Sequence, residues 1–284
     1  MIKRKGRYLK GAAFGSLGFC TSWAVDICGV GPEWIEVVEV RLELANLSSQ
    51  FRGKRIVHVS DLHCSRTVSS KYLEHCVERI NLLDADIVVL TGDYVTHDYY
   101  GRYRKKVTGL LGGISSQLGV YACLGNHDYG IGGMFRSRRD DALEEMVRGI
   151  RDCGVNVLRN ESSVLEIDGQ VLRFVGLGDL WADDFEPERA FADVGADEAV
   201  IALAHNPDAI ERLHKFDFDA VMCGHTHGSK VDFTVVHGRA GINRRFYYAG
   251  MYKIGSKKLY VNRGLGRLGK AFSTRPEITV FRLC

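Results

Sequence analysis

Arg55-Ile56-Val57-His58-Val59-Ser60 runs directly into Asp61-Leu62-His63, and the rest of the chain is best understood from this junction. A short, continuous apolar run of this kind reads as a strand buried on both faces. The acid and the imidazole stand where the strand gives way to loop. The same arrangement recurs four times downstream. Asp86–Leu90 leads to Thr91-Gly92-Asp93, and Val120–Leu124 to Gly125-Asn126-His127-Asp128. Ala199–Ala204 ends at His205, and Ala220–Cys223 leads to Gly224-His225-Thr226-His227. Sites in α/β sheets form where strands end and loops begin, so five such ends at one edge would gather all these side chains.

The segments between the strands carry helical spacing. Ser69–Leu83 places Tyr72, Leu73, Cys76, Val77 and Ile80 on one face and opens on a Ser cap. Residues 102–117 and Asp140–Asp152 read as helices, as does Pro207–Lys215 with Pro in its first turn. Trp34–Leu44 alternates like a half-exposed strand. Ser163–Ile167 and Val171–Gly176 read as a hairpin whose Asp168-Gly169 suits a type I′ turn. No repeat or low-complexity segment divides the 284 residues, which contain only four prolines. The reading is one α/β domain over residues 32–284 with an appendage over residues 1–31.

Seven side chains at the strand ends are candidate metal ligands: Asp61, His63, Asp93, Asn126, His205, His225 and His227. Carboxylate and amide oxygens mixed with imidazoles, without an obvious thiolate, suit Mn, Fe, Zn or Mg better than a soft metal. Seven donors exceed what one catalytic ion can use and suit two ions sharing a carboxylate, for which Asp93 is the choice. Two ions about 3.5–4 Å apart clamp a phosphoryl group and turn their bridging water into hydroxide near neutral pH. His127, next to Asn126, is a candidate to bind phosphoryl oxygens or protonate a leaving group, and Asp128 to orient its imidazole. Cys64 reads as packing, and His58, His75, His97, His214 and His237 as structural or surface residues.

The series Asp-x-His, Gly-Asp, Gly-Asn-His-Asp, His and Gly-His-Thr-His resembles the calcineurin-like metallophosphoesterases. The motifs span residues 61–227, and the likeness covers roughly residues 34–283. His205-Asn206-Pro207-Asp208, Gly224-His225-Thr226-His227-Gly228 and Asn262-Arg263-Gly264-Leu265-Gly266 resemble a bacterial branch. Members of that branch include general phosphodiesterases and a UDP-2,3-diacylglucosamine pyrophosphatase of lipid A synthesis. The resemblance implies a central β-sandwich flanked by helices, a four-layer α/β/β/α arrangement. It implies two divalent ions, with Mn as the leading choice, and gives Asp61, His63, Asp93 and His227 to one. Asp93, Asn126, His205 and His225 go to the other, and His127 takes the transition-state role. Many relatives carry Gly-Gly-Gln after the last histidine, where this chain has Gly228-Ser229-Lys230.

Charge is unevenly spread. Residues 1–10 hold five basic residues and no acid, and without them 33 basic residues face 35 acidic ones. Between Asp232 and Glu277 there is no acid but there are ten basic residues interleaved with aromatics, a pattern suited to an anionic partner. Gly11–Val25 is uncharged but shorter than the ~20 residues a spanning helix needs, and its glycines weaken a helix. A membrane anchor or interfacial segment, a cleaved signal, and a plain N-terminal element remain open readings. Eight irregularly spaced cysteines do not form a disulfide framework in a chain this long.

The expectation is thus a dinuclear hydrolase of phosphodiesters or pyrophosphates, acting on a phosphate-containing small molecule or glycolipid. The basic aromatic stretch and the anchor-like N-terminus tilt it towards a membrane-borne substrate, and the unpaired cysteines towards a reducing compartment and so the cytoplasmic face of a membrane, with export as the alternative. The alternatives are a general phosphodiesterase acting on nucleotides or other diesters, and a non-catalytic metal-binding scaffold. No nucleic-acid module is visible, and oligomeric state is open.

Overall fold

β2 (Arg55–Val59), β3 (Ile87–Thr91) and β4 (Val120–Cys123) are three of the apolar runs, and they lie side by side and parallel. Burial on both faces explains why they lack the polar alternation of a one-sided strand. β7 (Val155–Val157) extends the sheet beyond β4. On the other side β14 (Glu277–Leu283) pairs antiparallel with β2 and parallel with β1 (Glu36–Leu42), giving the order β1-β14-β2-β3-β4-β7. The computed structural model describes residues 34–98, 100–132, 135–136, 140–229, 247–266 and 274–284; the uncharged run at 11–25, Lys230 and five of the ten basic residues between Asp232 and Glu277 lie outside them.

The remaining runs belong to a second sheet. β9 (Gln170–Gly176), β10 (Ala199–Leu203), β11 (Ala220–Cys223) and β13 (Lys257–Val261) are parallel in that spatial order. β8 (Glu161–Ile167) and β12 (Gly250–Ile254) add antiparallel edges. The β8–β9 turn has φ of 51° at Asp168 and 75° at Gly169, the type I′ geometry that Asp-Gly favours. A two-stranded ribbon, β5 (Ile131–Gly132) with β6 (Phe135–Arg136), follows the β4 loop.

The inner faces of the two sheets make one apolar layer. Ile56, Ile87, Val89 and Phe281 of the first sheet pack with Leu172, Ile201, Leu203 and Met222 of the second. Tyr121 stacks on Phe174 across the gap, with centroids 4.2 Å apart. Each fully buried side chain of this size stabilises by about 1.5–3 kcal/mol. The outer face of the first sheet is covered by α1 (Ser70–Asn81), α2 (Arg102–Leu111) and α3 (Asp140–Asp152). Among the described residues, the second sheet is covered only by short elements, α4 (Pro187–Ala190) and a 3-10 turn at Pro207–Glu211. The α/β sandwich expected from the resemblance is present, with its fourth layer reduced to these pieces.

Two expected helices are shorter than read. α2 stops at Leu111, where Gly112 and Gly113 close the turn through N–H bonds to Thr108 and Leu110. The expected helix at 207–215 is a 3-10 turn held by the Asn206 side chain accepting from Asp208 N–H. The described part of the basic stretch also differs from an open cationic patch. Lys257 caps the carbonyls of Leu213, His214 and Phe216, and Lys258 that of Glu43. Arg263 pairs with Glu36 and Glu277, and Arg275 donates to the Trp34 carbonyl. These cations therefore bind the fold's own acceptors. Among the described residues, no helix is long and apolar enough to cross a membrane.

Candidate active site

The five strand ends do meet, but at the edges of two sheets rather than one. The first sheet delivers Asp61, His63, Asp93, Asn126 and His127; the second delivers His205, His225 and His227. Asp61, His63, Asp93, Asn126, His205 and His227 are buried. Five of the candidate ligands sit in the left-handed region, with φ of 52° at Asp61, 50° at His63, 56° at Asp93, 74° at His225 and 52° at His227. Such backbone is costly outside glycine and gathers at functional sites.

Three groups of side chains have mutually close ligand atoms, all within 4.8 Å: Asp61–His63–His227, Asp93–His205–His225 and His63–Asp93–His127. Asp93 joins the first two. Its Oδ2 is 3.4 Å from His63 Nε2 and 3.1 Å from His205 Nε2. Asp61 Oδ1 is 3.4 Å from His227 Nε2 and 3.7 Å from His63 Nε2. Asn126 Oδ1 and His205 Nε2 lie 3.1 and 3.2 Å from His225 Nδ1.

Neighbours fix which nitrogen of each imidazole faces inward. His205 Nδ1 donates to the Thr91 carbonyl at 2.7 Å, leaving Nε2 as the inward atom. The Thr96 hydroxyl donates to the His63 carbonyl at 3.2 Å and is thereby an acceptor for His63 Nδ1 at 3.3 Å. His127 Nδ1 donates to the Thr96 carbonyl at 2.8 Å. Second contacts of this kind orient metal-binding histidines.

The electrostatics also call for cations. Burial alone would raise the pKa of Asp61, but His227 and the His63 hydrogen bond outweigh it and hold the carboxyl well below the usual range. Burial likewise opposes ionisation of Asp93, and His205 and His127 overcome it. Burial pushes His63 down to about 4 and His225 to about 3, so both are neutral donors near pH 7. Two buried carboxylates ringed by imidazoles, with Nε2 of His63 and His205 turned inward, form a donor set that fits divalent ions.

Asp128 has a different position from the one expected. Its Oδ2 accepts from the N–H groups of Asp93 and Gly125 at 2.9 Å each. Its Oδ1 accepts from Tyr94 at 2.9 Å and Val95 at 3.4 Å. The carboxylate therefore staples the Asp93 loop to the β4 loop, while the Thr96 carbonyl holds the His127 ring. Burial and then Asp93 push the Asp128 pKa up, to about 8, against the pull of these N–H donors.

Glycines permit the close approaches. A Cβ on Gly125 would stand 2.3 Å from Asp93 Oδ1, and one on Gly132 2.2 Å from the His127 ring. The Asn262–Gly266 turn clamps the Asp61 backbone: Leu265 N–H donates to Ser60 O at 3.0 Å and Gly266 N–H to Asp61 O at 2.6 Å. A Cβ on Gly264 would stand 2.6 Å from Asp61 Cβ. The sequence marks this motif but not its role, shows Thr91 only as the start of Thr91-Gly92-Asp93, and gives no sign of Thr96 or Trp181. Trp181 meets His225 edge to face, with centroids 4.4 Å apart. His58 bonds Thr91 Oγ1 inside the core, in keeping with a structural role. His97 is exposed but has its ring 5.5 Å from that of His127. Cys64 is buried and free, in keeping with packing, and Cys123 and Cys223 are also buried and free.

Comparison with known proteins agrees with this geometry. The model of the calcineurin-like phosphoesterase family matches residues 54–229. The UDP-2,3-diacylglucosamine pyrophosphatase LpxG of Chlamydia trachomatis is 28% identical, over 88% of this chain and 90% of its own length. Phosphodiesterase YaeI of Escherichia coli is 29% identical over the full length of both chains. The uncharacterized metallophosphoesterase YkuE of Bacillus subtilis is 30% identical, over 89% of this chain and 86% of its own.

Proposed function

The chain belongs to the calcineurin-like phosphoesterase family and is a hydrolase, and from that premise we propose that it cleaves a phosphodiester or pyrophosphate linkage with two divalent ions. The position of Asp93 Oδ2 between two ligand groups carries the two-ion reading. Asp61, His63, Asp93 and His227 would hold one ion; Asp93, Asn126, His205 and His225 would hold the other. When bound, such a pair acts as a Lewis acid on phosphoryl oxygens and lowers the pKa of water.

The chain's own groups do the rest. His127, with Nδ1 on the Thr96 carbonyl, has Nε2 left to meet a phosphoryl oxygen or pass a proton to the leaving group. The His127 N–H donates to Asp93 Oδ1 at 2.9 Å, and Oδ2 is the oxygen turned to His63 and His205. Asp128 acts through the backbone, keeping the two loops in register.

For the substrate, the likeness to LpxG and the basic, then uncharged, N-terminal stretch support a UDP-linked glycolipid such as UDP-2,3-diacylglucosamine at the cytoplasmic face of a membrane. The equal likeness to YaeI supports a general phosphodiesterase as the second reading. Mn²⁺ is the ion to try first. The chelator-stripped chain, reconstituted with Mn²⁺, is offered UDP-2,3-diacylglucosamine and a chromogenic phosphodiester. Cleavage of the first is expected; turnover of the second alone overturns the glycolipid reading. Asp93→Asn should lower activity by about 10³-fold or more and cost one bound ion; retained activity would refute the shared role of Asp93. Carbonate washing of fractionated membranes tests the location.

A further inference from the structure

His225 differs from the other imidazoles in how it is aimed. His63, His205 and His127 each use Nδ1 for an orienting hydrogen bond and turn Nε2 inward. In His225 the atom facing the cluster is Nδ1 itself, at 3.1 Å from Asn126 Oδ1 and 3.2 Å from His205 Nε2. That nitrogen cannot also make an outward bond. The His225 ring is also met by the indole of Trp181, edge to face, with centroids 4.4 Å apart and the rings 88° to one another. Trp181 is only 8% exposed, so it also keeps water from that flank of the imidazole.

Trp181 rides on a loop between β9 and α4 that is fastened from several directions. Asp179 Oδ1 accepts from the N–H groups of Trp181 and Ala182, at 2.9 Å each. Asn160 Oδ1 accepts from Gly178 and Glu186, and its Nδ2 donates to the Asp184 carbonyl at 2.6 Å. The Asp184 carboxylate takes a two-pronged contact from Arg159, at 2.6 and 3.0 Å, and the Tyr129 hydroxyl at 2.5 Å. Charge-assisted forks of this kind are strong and geometrically specific. Gly178 lies so close that a Cβ there would stand 1.9 Å from the Asp184 carbonyl. Tyr129 follows Asn126 in the same short turn. The network thus ties the loop behind His225 to the loop that carries Asn126.

We propose that the loop 177–186 is a positioning clamp for the ligand group Asp93–Asn126–His205–His225, with Trp181 as the positioning residue that sets the His225 ring and the Asp184–Arg159–Tyr129 network holding Trp181. The proposal rests on the two-ion reading above. It acts on one ion, because Asp61 is held by Gly92 and Gly266, His63 by Thr96, and the His227 carbonyl by the Thr274 hydroxyl.

The test is calorimetric titration of Mn²⁺ into the chelator-stripped full chain. Wild type should show two binding events, one of which His225→Ala removes. Trp181→Leu should weaken that same event by about 10- to 100-fold, the range for loss of outer-shell partners, and leave the other within about twofold. Trp181→Phe, which keeps an aromatic ring, should show less than about a third of that weakening on a logarithmic scale. If Trp181→Leu does not fold, Asp184→Asn replaces it and should weaken the same event by about threefold or more. Wild-type affinity at both events, or equal weakening of both, overturns the clamp while the two-ion reading stands. A single event in wild type overturns the two-ion reading and the clamp with it.

Discussion

Asp61 and Asp93 reach the site on main chain with no room to shift, whereas the imidazoles of His205 and His225 are aimed by a neighbour of the ring, although His225 shares the left-handed backbone of the aspartates. Both aspartates sit at positive φ. The Gly266 N–H donates to the carbonyl of Asp61, with Leu265 on the preceding Ser60, and the Asp128 carboxylate accepts from the Asp93 N–H. His205 depends on the Thr91 carbonyl, and His225 has Trp181 against its ring. A shared carboxylate must face two ions at once, so its position tolerates less error than that of an imidazole serving one ion. The half of the site under the tighter constraint is the one built from backbone.

Breaking the carboxylate half should cost stability as well as chemistry. Asp128→Ala strands the N–H groups of Asp93, Tyr94 and Gly125 in the interior. At roughly 1–3 kcal/mol for each unsatisfied donor, about 4 kcal/mol or more of stability should be lost, read by urea denaturation of the metal-free chain. Full stability with lost activity would instead make Asp128 a participant in the reaction. Gly264→Ala is the next largest and has its own control. Gly264 and Gly255 both have positive φ, 78° and 63°, but a Cβ on Gly255 meets nothing within 4 Å. Gly255→Ala should cost only the left-handed penalty, about 1–2 kcal/mol. Gly264→Ala should cost about 1–3 kcal/mol beyond that and lower Mn²⁺ affinity, because the added carbon pushes on Asp61. Equal losses would mean that the approach to Asp61 carries no constraint.

The imidazole half was the easier to see in sequence and the harder to understand from it. Apolar runs and their polar ends are local signals, and β2, β3, β4, β10 and β11 follow them closely. Pairing between distant segments is not local. Nothing in Glu277–Leu283 announces a strand between β1 and β2, and so the division of the ligands between two sheets was hidden. The supports were hidden for the same reason: Thr91, Thr96 and Trp181 are ordinary residues until the fold sets them beside a histidine. Asp128 shows the opposite failure. Its place beside His127 in the chain suggested a partnership, but its side chain turns to the Asp93 loop.

The smallest effect is expected where one residue serves two histidines by different atoms. Thr96 offers its hydroxyl to His63 and its carbonyl to His127. Thr96→Val removes only the first, since the carbonyl stays and the side chain keeps its shape. His63 would then lose the acceptor that holds Nδ1–H outward, and its ring would spend part of its time turned from Asp61 and Asp93. The expected result is about a tenfold weakening of Mn²⁺ binding, with turnover at saturating Mn²⁺ within about twofold of wild type because the hold on His127 is intact. A fall in turnover that saturating metal does not restore would place the Thr96 hydroxyl in the reaction itself. No fall in affinity would show that main chain aims His63, putting that imidazole in the same class as the two aspartates.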